Sequence, residues 1–126
     1  MFNEIRFLAS TVNCYTENDV LIIGAGDDPV SPNSYLIISR LDDGDIDESI
    51  GIQTHLSEME VSNAISDIFL SEHELVVKIK ENKSTEVNTS RMVVLLDNST
   101  TDLKSLEKYV NKIFSGSTAN IEIKIK

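Results

Sequence analysis

The sequence predicts an α+β fold, with a mainly antiparallel sheet of about seven strands and one main amphipathic helix at about residues 102–115. Two observations lead to this expectation. Short runs of alternating apolar residues are separated by turn-forming residues, which is typical of antiparallel sheets. One longer segment near the C-terminus has apolar residues at helical spacing. The 126 residues, 40% of them hydrophobic and 25% charged, fit a single domain over 1–126.

The first third of the chain predicts three strands. Residues 5–15 alternate but change parity near the middle, so we expect a strand with an irregularity. The apolar run 20–25 leads into glycine and aspartate, which predicts a strand followed by a turn. Residues 28–33 contain both prolines and form a loop, and YLIISR at 35–40 is typical of a buried strand.

The middle of the chain predicts an acidic loop, a strand, a short helix and a second strand, in that order. The loop covers 42–49, and alternation over 50–56 predicts a half-buried strand. Apolar residues over 61–68 have the spacing of one face of a short helix. The alternation over 75–80 then predicts another strand.

The last third predicts a loop over 81–91, a buried strand over 92–96, the main helix and a terminal strand at a sheet edge. For the helix, one of Ser99, Thr100 and Thr101 is the expected N-cap, and Gly116 is the expected left-handed residue that ends it. The apolar stripe of the helix consists of Leu103, Leu106, Val110, Ile113 and Phe114, and the terminal strand alternates at Ile121, Ile123 and Ile125.

The acidic residues are unevenly distributed. Between Leu41 and Glu74 there are ten acidic residues and no lysine or arginine, while the remainder has 11 acids and 11 bases. This acidic segment therefore accounts for the net charge of −10. We predict that it contacts a partner protein through Asp42, Asp43, Asp45, Asp47, Glu48, Glu58, Glu60, Asp67, Glu72 and Glu74.

A concentrated negative field has physical consequences for partners. It repels nucleic acid and anionic membrane surfaces, and it raises the rate of encounter with a basic protein. We therefore expect no binding to nucleic acid or membranes. The alternative interpretation is a solvated face that only promotes solubility.

Residues suited to catalysis are few and lack supporting motifs. A nucleophile needs a base within hydrogen-bond reach, and the histidines His55 and His73 have no such context in sequence. Cys14 has no CxxC partner, and we expect a packed, inert thiol. The glycines over 24–26 precede no helix signal, so they indicate a turn rather than a nucleotide site. The sequence therefore predicts no catalytic residues, no cofactor and no enzymatic activity.

One spacing is reminiscent of a calcium loop. Asp43, Asp45 and Asp47 alternate as calcium ligands do, but Glu48 stands at the position of the sharp-turn glycine. Thr54 stands where the bidentate glutamate is required. We therefore predict no metal site.

The single cysteine and the lack of a signal-like or membrane-spanning apolar run predict a cytoplasmic protein.

The order of several strings resembles the immunity protein 10 family over roughly residues 5–116. The strings are YLIISR at 35–40, the acidic loop, NAISDIFL at 63–70, ELVVKI at 74–79, VVLLD at 93–97 and LKSLEKYVNKIFSG at 103–116. The chain departs from the family at Ser39, where members often have glutamine, and at Asn63 and Ala64, where they have a glycine pair.

The resemblance implies a function in bacterial polymorphic toxin and contact-dependent growth inhibition systems. There each immunity protein is made beside a toxin and protects the producing cell. We therefore expect a protein that is a monomer or weak dimer when free and that neutralises a cognate C-terminal toxin domain, such as a basic nuclease, by occlusion. The alternatives are an acidic secretion chaperone or adaptor, and a small enzyme.

Overall fold

The computed structural model describes residues 4–41, 45–57 and 59–125, which form two five-stranded sheets, one long helix and short helical turns. The strands are β1 (Glu4–Ala9), β2 (Thr11–Glu17), β3 (Val20–Gly26), β4 (Tyr35–Leu41), β5 (Ile50–Thr54), β6 (Val61–Ser62), β7 (Ile65–Ser71), β8 (Glu74–Ile79), β9 (Arg91–Leu96) and β10 (Asn120–Lys124). The helices are α1 (Ile46–Ser49), α2 (Ser84–Val87) and α3 (Leu103–Ile113), with a 3-10 turn at Glu81–Lys83.

The strands divide between two sheets of different pairing. The first sheet has the order β1-β9-β8-β7-β10, with parallel pairs at both edges, β1 with β9 and β7 with β10. The second sheet has the order β2-β3-β4-β5-β6 and is antiparallel throughout. The α+β class and the C-terminal helix are confirmed. The expectation of one sheet of about seven strands is wrong, because the described residues form ten strands in two sheets.

The irregularity predicted within residues 5–15 is the corner between the sheets. Phe7 and Ala9 of β1 are buried at odd positions, whereas the inward residues of β2 are Val12 and Cys14 at even positions. The parity changes at Ser10, whose backbone N–H donates to the carbonyl of Gly26 at 2.9 Å. A one-residue shift exchanges the two faces of a strand, so β1 and β2 each turn apolar residues toward the core.

The two sheets share one hydrophobic core. In the second sheet Ile23, Ile38 and Ile52 are neighbours across three strands and are fully buried. In the first sheet Val77 and Met92 are paired and fully buried. All five belong to one cluster that also includes the apolar face of α3. We call the core-facing side of each sheet its inner face and the other side its outer face.

Helix α3 connects the parallel-running strands β9 and β10 and packs on β2 and β3 of the second sheet. Its buried stripe is Leu106, Val110 and Ile113, as the helical spacing predicted. The Tyr109 and Thr16 hydroxyls lie 3.1 Å apart and bridge the helix to β2.

The N-cap of α3 differs from the expected one. Asp102 is the cap, and its carboxylate accepts a hydrogen bond from the Ser105 backbone N–H at 3.1 Å. Ser99, Thr100 and Thr101 instead form a turn in which their backbone N–H groups bond to Asp97. The helix therefore begins only after this turn is complete.

The segment 61–68 is not a helix. It contains the two-residue strand β6, which pairs with β5, and the start of β7, and Asn63 between them has a φ of 54°. A bulge in the pairing between Ile65 and Asp67 brings Ile65 and Ile68 to the same face although they are three residues apart. The bulge thus mimics helical spacing in the sequence.

Two predicted loops contain short helical turns. The acidic loop ends in α1, and the polar stretch 81–91 contains the 3-10 turn and α2. Val87 of α2 is fully buried and anchors this connection in the core.

Replacing Leu106 with alanine should lower the free energy of unfolding by about 2–5 kcal/mol, because the fully buried side chain leaves a cavity. Chemical denaturation measures this. The control is Lys104→Ala on the exposed side of α3, with an expected change within about 0.5 kcal/mol. Equal unfolding midpoints for the two variants would show that the stripe is not core.

Candidate protein-binding surface

The net negative charge is concentrated in the part of the chain that forms the second sheet. Residues 11–62, which contain every strand of the second sheet, have 11 acidic residues and one basic residue, Arg40. The rest of the chain has 10 acids and 10 bases. The formal charge of −10 therefore belongs to the part of the chain that builds the second sheet.

Arg40 points away from the outer face of this sheet. Its register partners Leu21 and Ile50 lie on the inner side. Nη1 of Arg40 donates to the carbonyls of Lys112 at 3.1 Å, Ile113 at 2.9 Å and Ser115 at 3.0 Å. The first two carbonyls are the last of α3 and the third follows it, so the guanidinium compensates the negative end of the helix dipole.

Gly116 has the predicted left-handed conformation, with a φ of 81°. It lies in the turn after the helix, whose C-cap is Phe114.

Three of the predicted contact residues lie in α1 or directly before it. Asp45 is its N-cap, and its carboxylate accepts from the Glu48 backbone N–H at 3.1 Å. Glu48 is exposed and accepts from the Asn63 side chain at 3.1 Å. The Asn63 oxygen in turn accepts from the ammonium of Lys80. Asp45 and Glu48 are therefore held in place by the fold.

Asp47 ties α1 to the segment after α3. Its carboxylate accepts from the Ser117 hydroxyl at 2.7 Å, the Thr118 backbone N–H at 3.1 Å and the Thr118 hydroxyl at 2.9 Å. The Ser117 hydrogen bond, followed by those of Thr118 and the charge of Lys80, lowers the pKa of Asp47. The side chain is half-buried, so Asp47 acts mainly as a structural clamp.

Glu60 lies on the outer face of the second sheet. Its carboxylate accepts from the Ser39 hydroxyl at 3.0 Å. The Glu60 carboxylate lies directly over Gly51, where a Cβ would displace it from this position. Glu60 is nevertheless exposed, and its neighbour Met59 is 77% exposed.

The structure separates the last three predicted contact residues from the others. Asp67 and Glu74 lie on the outer face of the first sheet, where Asp67 is the register partner of Lys78 and accepts from Asn120 at 3.1 Å. Glu72 lies in the turn between β7 and β8. The predicted set is thus split between two sheets. Asp42, Asp43 and Glu58 are outside the described residues.

Four acidic residues of the second sheet were missed because they precede Leu41. They are Glu17, Asp19, Asp27 and Asp28. The signal that identifies them is the scarcity of bases, since Arg40 is the one lysine or arginine between Phe7 and Val77. A count of bases over a longer window would have extended the acidic region toward the N-terminus.

Two of the residues considered for catalysis, His55 and Cys14, make contacts within the fold, and His73 is exposed in the turn between β7 and β8. Nδ1 of His55 accepts from the Tyr35 backbone N–H at 3.1 Å, and its ring meets Phe7 edge-on at 6.4 Å. Cys14 is half-buried beside Ser105, and burial raises the pKa of its thiol to about 11. A thiol with this pKa is protonated and a weak nucleophile at neutral pH.

Over the described ranges 4–41, 45–57 and 59–125, no group of three or more His, Cys, Asp or Glu side chains is arranged to hold a metal ion. Within the same ranges, no helix has the length and apolarity needed to cross a membrane.

Comparison with known proteins adds no family assignment. No family model matches the chain, and no curated protein matches it significantly. The resemblance to immunity protein 10 therefore stays a prediction that depends on the order of the strings in the sequence.

Replacing Asp47 with asparagine should lower the free energy of unfolding at pH 7 by about 1–3 kcal/mol, because the hydrogen bonds to one carboxylate oxygen lose their charge assistance and the bond to the other oxygen is lost. The folded-state pKa of Asp47 is below its ordinary value of 3.8. Its contribution to stability is therefore full above that value and is lost as the pH falls through the lower, folded-state pKa.

The Asp47→Asn variant should accordingly show a weaker pH dependence of stability below about pH 4 than the parent chain. Urea denaturation between pH 2.5 and 7 measures both effects. Glu17→Gln, at an exposed position, removes the same charge and should leave the stability at pH 7 nearly unchanged. Identical curves for parent and Asp47→Asn would exclude the clamp.

Proposed function

We propose that this protein is an immunity protein that binds and neutralises a cognate bacterial toxin domain with a basic surface. The observation that carries the proposal is the charge distribution, in which residues 11–62 have 11 acids and a single base that caps α3. A nuclease that binds phosphates has a groove lined by lysine and arginine, and this acidic surface is complementary to it. The resemblance of the string order to immunity protein 10 supports the same function.

The acidic residues contribute to binding in different ways. Glu17 and Asp19 form the exposed end of the β2–β3 hairpin, and Glu60 is exposed on the outer face. Exposed charges at the rim of an interface act mainly by accelerating association. Asp47 already satisfies its carboxylate within the fold, so burying it under a partner would add little. The exposed carboxylates are therefore the ones that steer the toxin.

The proposed setting is the cytoplasm of the producing cell, where the free protein is a monomer or weak dimer. Like-charged copies repel, which disfavours association through the acidic surface. Binding to the toxin domain replaces this repulsion with attraction.

The experiment starts from the reading frame beside the gene. If that frame encodes a large secreted protein with a variable C-terminal domain, the domain and this chain should form an equimolar complex by size-exclusion chromatography with light scattering. Toxin activity should fall to zero at one equivalent of this chain, because each bound copy occludes one domain.

Two results would contradict the proposal. The first is failure to bind the neighbouring toxin domain together with turnover of a small substrate by this chain, which would indicate an enzyme. The second is binding only to an unfolded secretion substrate, which would indicate the acidic chaperone or adaptor.

The triple variant Glu17→Gln, Asp19→Asn and Glu60→Gln should associate with the toxin domain about 3- to 10-fold more slowly at low salt, with a weaker salt dependence. Asp19 has a φ of 66°, which asparagine tolerates, so the hairpin is preserved. Surface plasmon resonance at low and high salt separates the two rate constants.

The matched control changes the same number of charges in the balanced part of the chain. Glu81→Gln, Glu86→Gln and Glu122→Gln all lie at exposed positions outside residues 11–62. This variant should associate at the parent rate. Equal slowing by both triple variants would mean that net charge, rather than the acidic surface, controls the encounter.

A further inference from the structure

The outer face of the second sheet is uncovered. Helix α3 packs on the opposite side of β2 and β3, as the Thr16 and Tyr109 contact shows. Tyr15 and Ile22 are register partners on the outer face, and Ile37 lies beside Gly24 on the same face. Tyr15 is 45% exposed, and Ile22 and Ile37 remain half-buried. This face is apolar at its centre although no helix covers it in the described part of the chain.

Large exposed hydrophobic residues concentrate in the same part of the protein. In the described ranges, Val30 is 89% exposed, Met59 77%, Leu41 47% and Tyr15 45%, and all four lie within residues 11–62. Outside residues 11–62, the one large hydrophobic residue of the described ranges that is similarly exposed is Leu8, at 57%. The part of the chain with the whole net charge therefore also exposes most of the large apolar side chains. Such a combination is typical of an interface with an apolar centre and a polar rim.

A hollow of about 280 Å³ indents this face. Its lining includes Gly24, Gly26, Pro32, Tyr35 and Ile37. A Cβ placed on Gly24 would meet nothing closer than a backbone oxygen at 3.9 Å. The hollow is therefore open space that the protein itself does not fill.

The loop beside the hollow is constrained by hydrogen bonds to two aspartates. The Asp27 carboxylate accepts from the backbone N–H groups of Asn33 at 2.9 Å and Ser34 at 3.2 Å. The Asp28 carboxylate accepts from those of Val30 at 3.0 Å and Ser31 at 2.7 Å. Two prolines further restrict the backbone of this loop. A preformed loop loses little conformational entropy on binding, which favours affinity.

The charges around the face indicate its occupant. Glu17 and Asp19 are exposed at one end of the β2–β3 hairpin, Asp28 is exposed in the loop at the other, and Glu60 is exposed across the sheet. Arg40, the single base of residues 11–62, contacts the end of α3 on the inner side. An acidic rim disfavours nucleic acid, an anionic membrane or a second copy of this chain. It favours a protein whose contact surface carries lysine and arginine.

We propose that the outer face of the second sheet is the docking surface for a basic protein, and that an apolar side chain of that protein enters the hollow above Gly24. Lysine and arginine side chains around it then meet the acidic rim. This inference rests on the proposed function and specifies the surface that the toxin domain contacts.

The decisive variant is Gly24→Tyr, which fills the hollow from within. The open space above Gly24 and the strand position let the fold accept tyrosine, so the thermal midpoint should stay equal or rise. Affinity for the neighbouring toxin domain should fall by about 30-fold or more, because the central pocket of the interface is blocked. Leu8→Tyr on the outer face of the first sheet is the matched control and should bind as the parent does. Parent affinity in Gly24→Tyr would overturn the assignment of the surface while leaving the proposed function intact.

If the parent chain binds no toxin domain, the proposed function fails. A second measurement then still tests whether the outer face of the second sheet is a docking surface for basic proteins. The capped peptide Lys-Lys-Phe-Lys-Lys is titrated into the isotope-labelled chain and followed by amide NMR. The peptide should shift the amides of Asn13, Gly24 and Ile37, and Glu-Glu-Phe-Glu-Glu should not. Shifts located elsewhere, or equal shifts with both peptides, would overturn the proposal. Shifts of the same amides on dilution of the chain alone would also overturn it, since they would show that a second copy occupies the face.

Discussion

The hydrogen bonds from Arg40 to the last carbonyls of α3 connect the fold to the charge distribution. They join the inner face of β4 to the end of the helix and so hold α3 against the second sheet. They also neutralise the negative end of the helix. Because the Arg40 guanidinium lies at the end of α3 on the inner side, no lysine or arginine of residues 11–62 pairs with the described carboxylates of the outer face. One side chain thus positions the helix and leaves the opposite face of the sheet acidic.

The sequence predicted most strands but not how they assemble. Alternation is a local signal, so the strands around Ile23, Ile38 and Val94 were identified correctly. The assignment of strands to sheets depends on contacts between distant residues, and the parallel pairs β1 with β9 and β7 with β10 have no local signature. The parity change at Ser10 was visible, but sequence alone does not distinguish a bulge from a corner between sheets.

The residues of the candidate site were predicted only in part, because acidic residues that are close in the sequence do not all lie close together in the structure. The acidic segment ended at Glu74, but the structure places Asp67 and Glu74 on the first sheet, where Asp67 is the register partner of Lys78. The hydrogen bonds of Asp47 could not be predicted, since Ser117 is 70 residues away. The uncovered apolar face was equally hidden, because Tyr15 and Ile22 read as ordinary strand residues until their side of the sheet is known.

Concentrated charge and exposed apolar surface both have a cost for a protein on its own. Repulsion among the carboxylates of residues 11–62 destabilises the compact state, and exposed residues such as Val30 favour unspecific association. The fold offsets part of the first cost by bonding Asp27, Asp28 and Asp47 internally. Glu17 and Val30 are exposed and do not pack in the core, so core packing does not offset their cost. Under the proposed function, a basic partner with an apolar centre would relieve both costs at one surface, whereas a face that only promotes solubility would relieve neither.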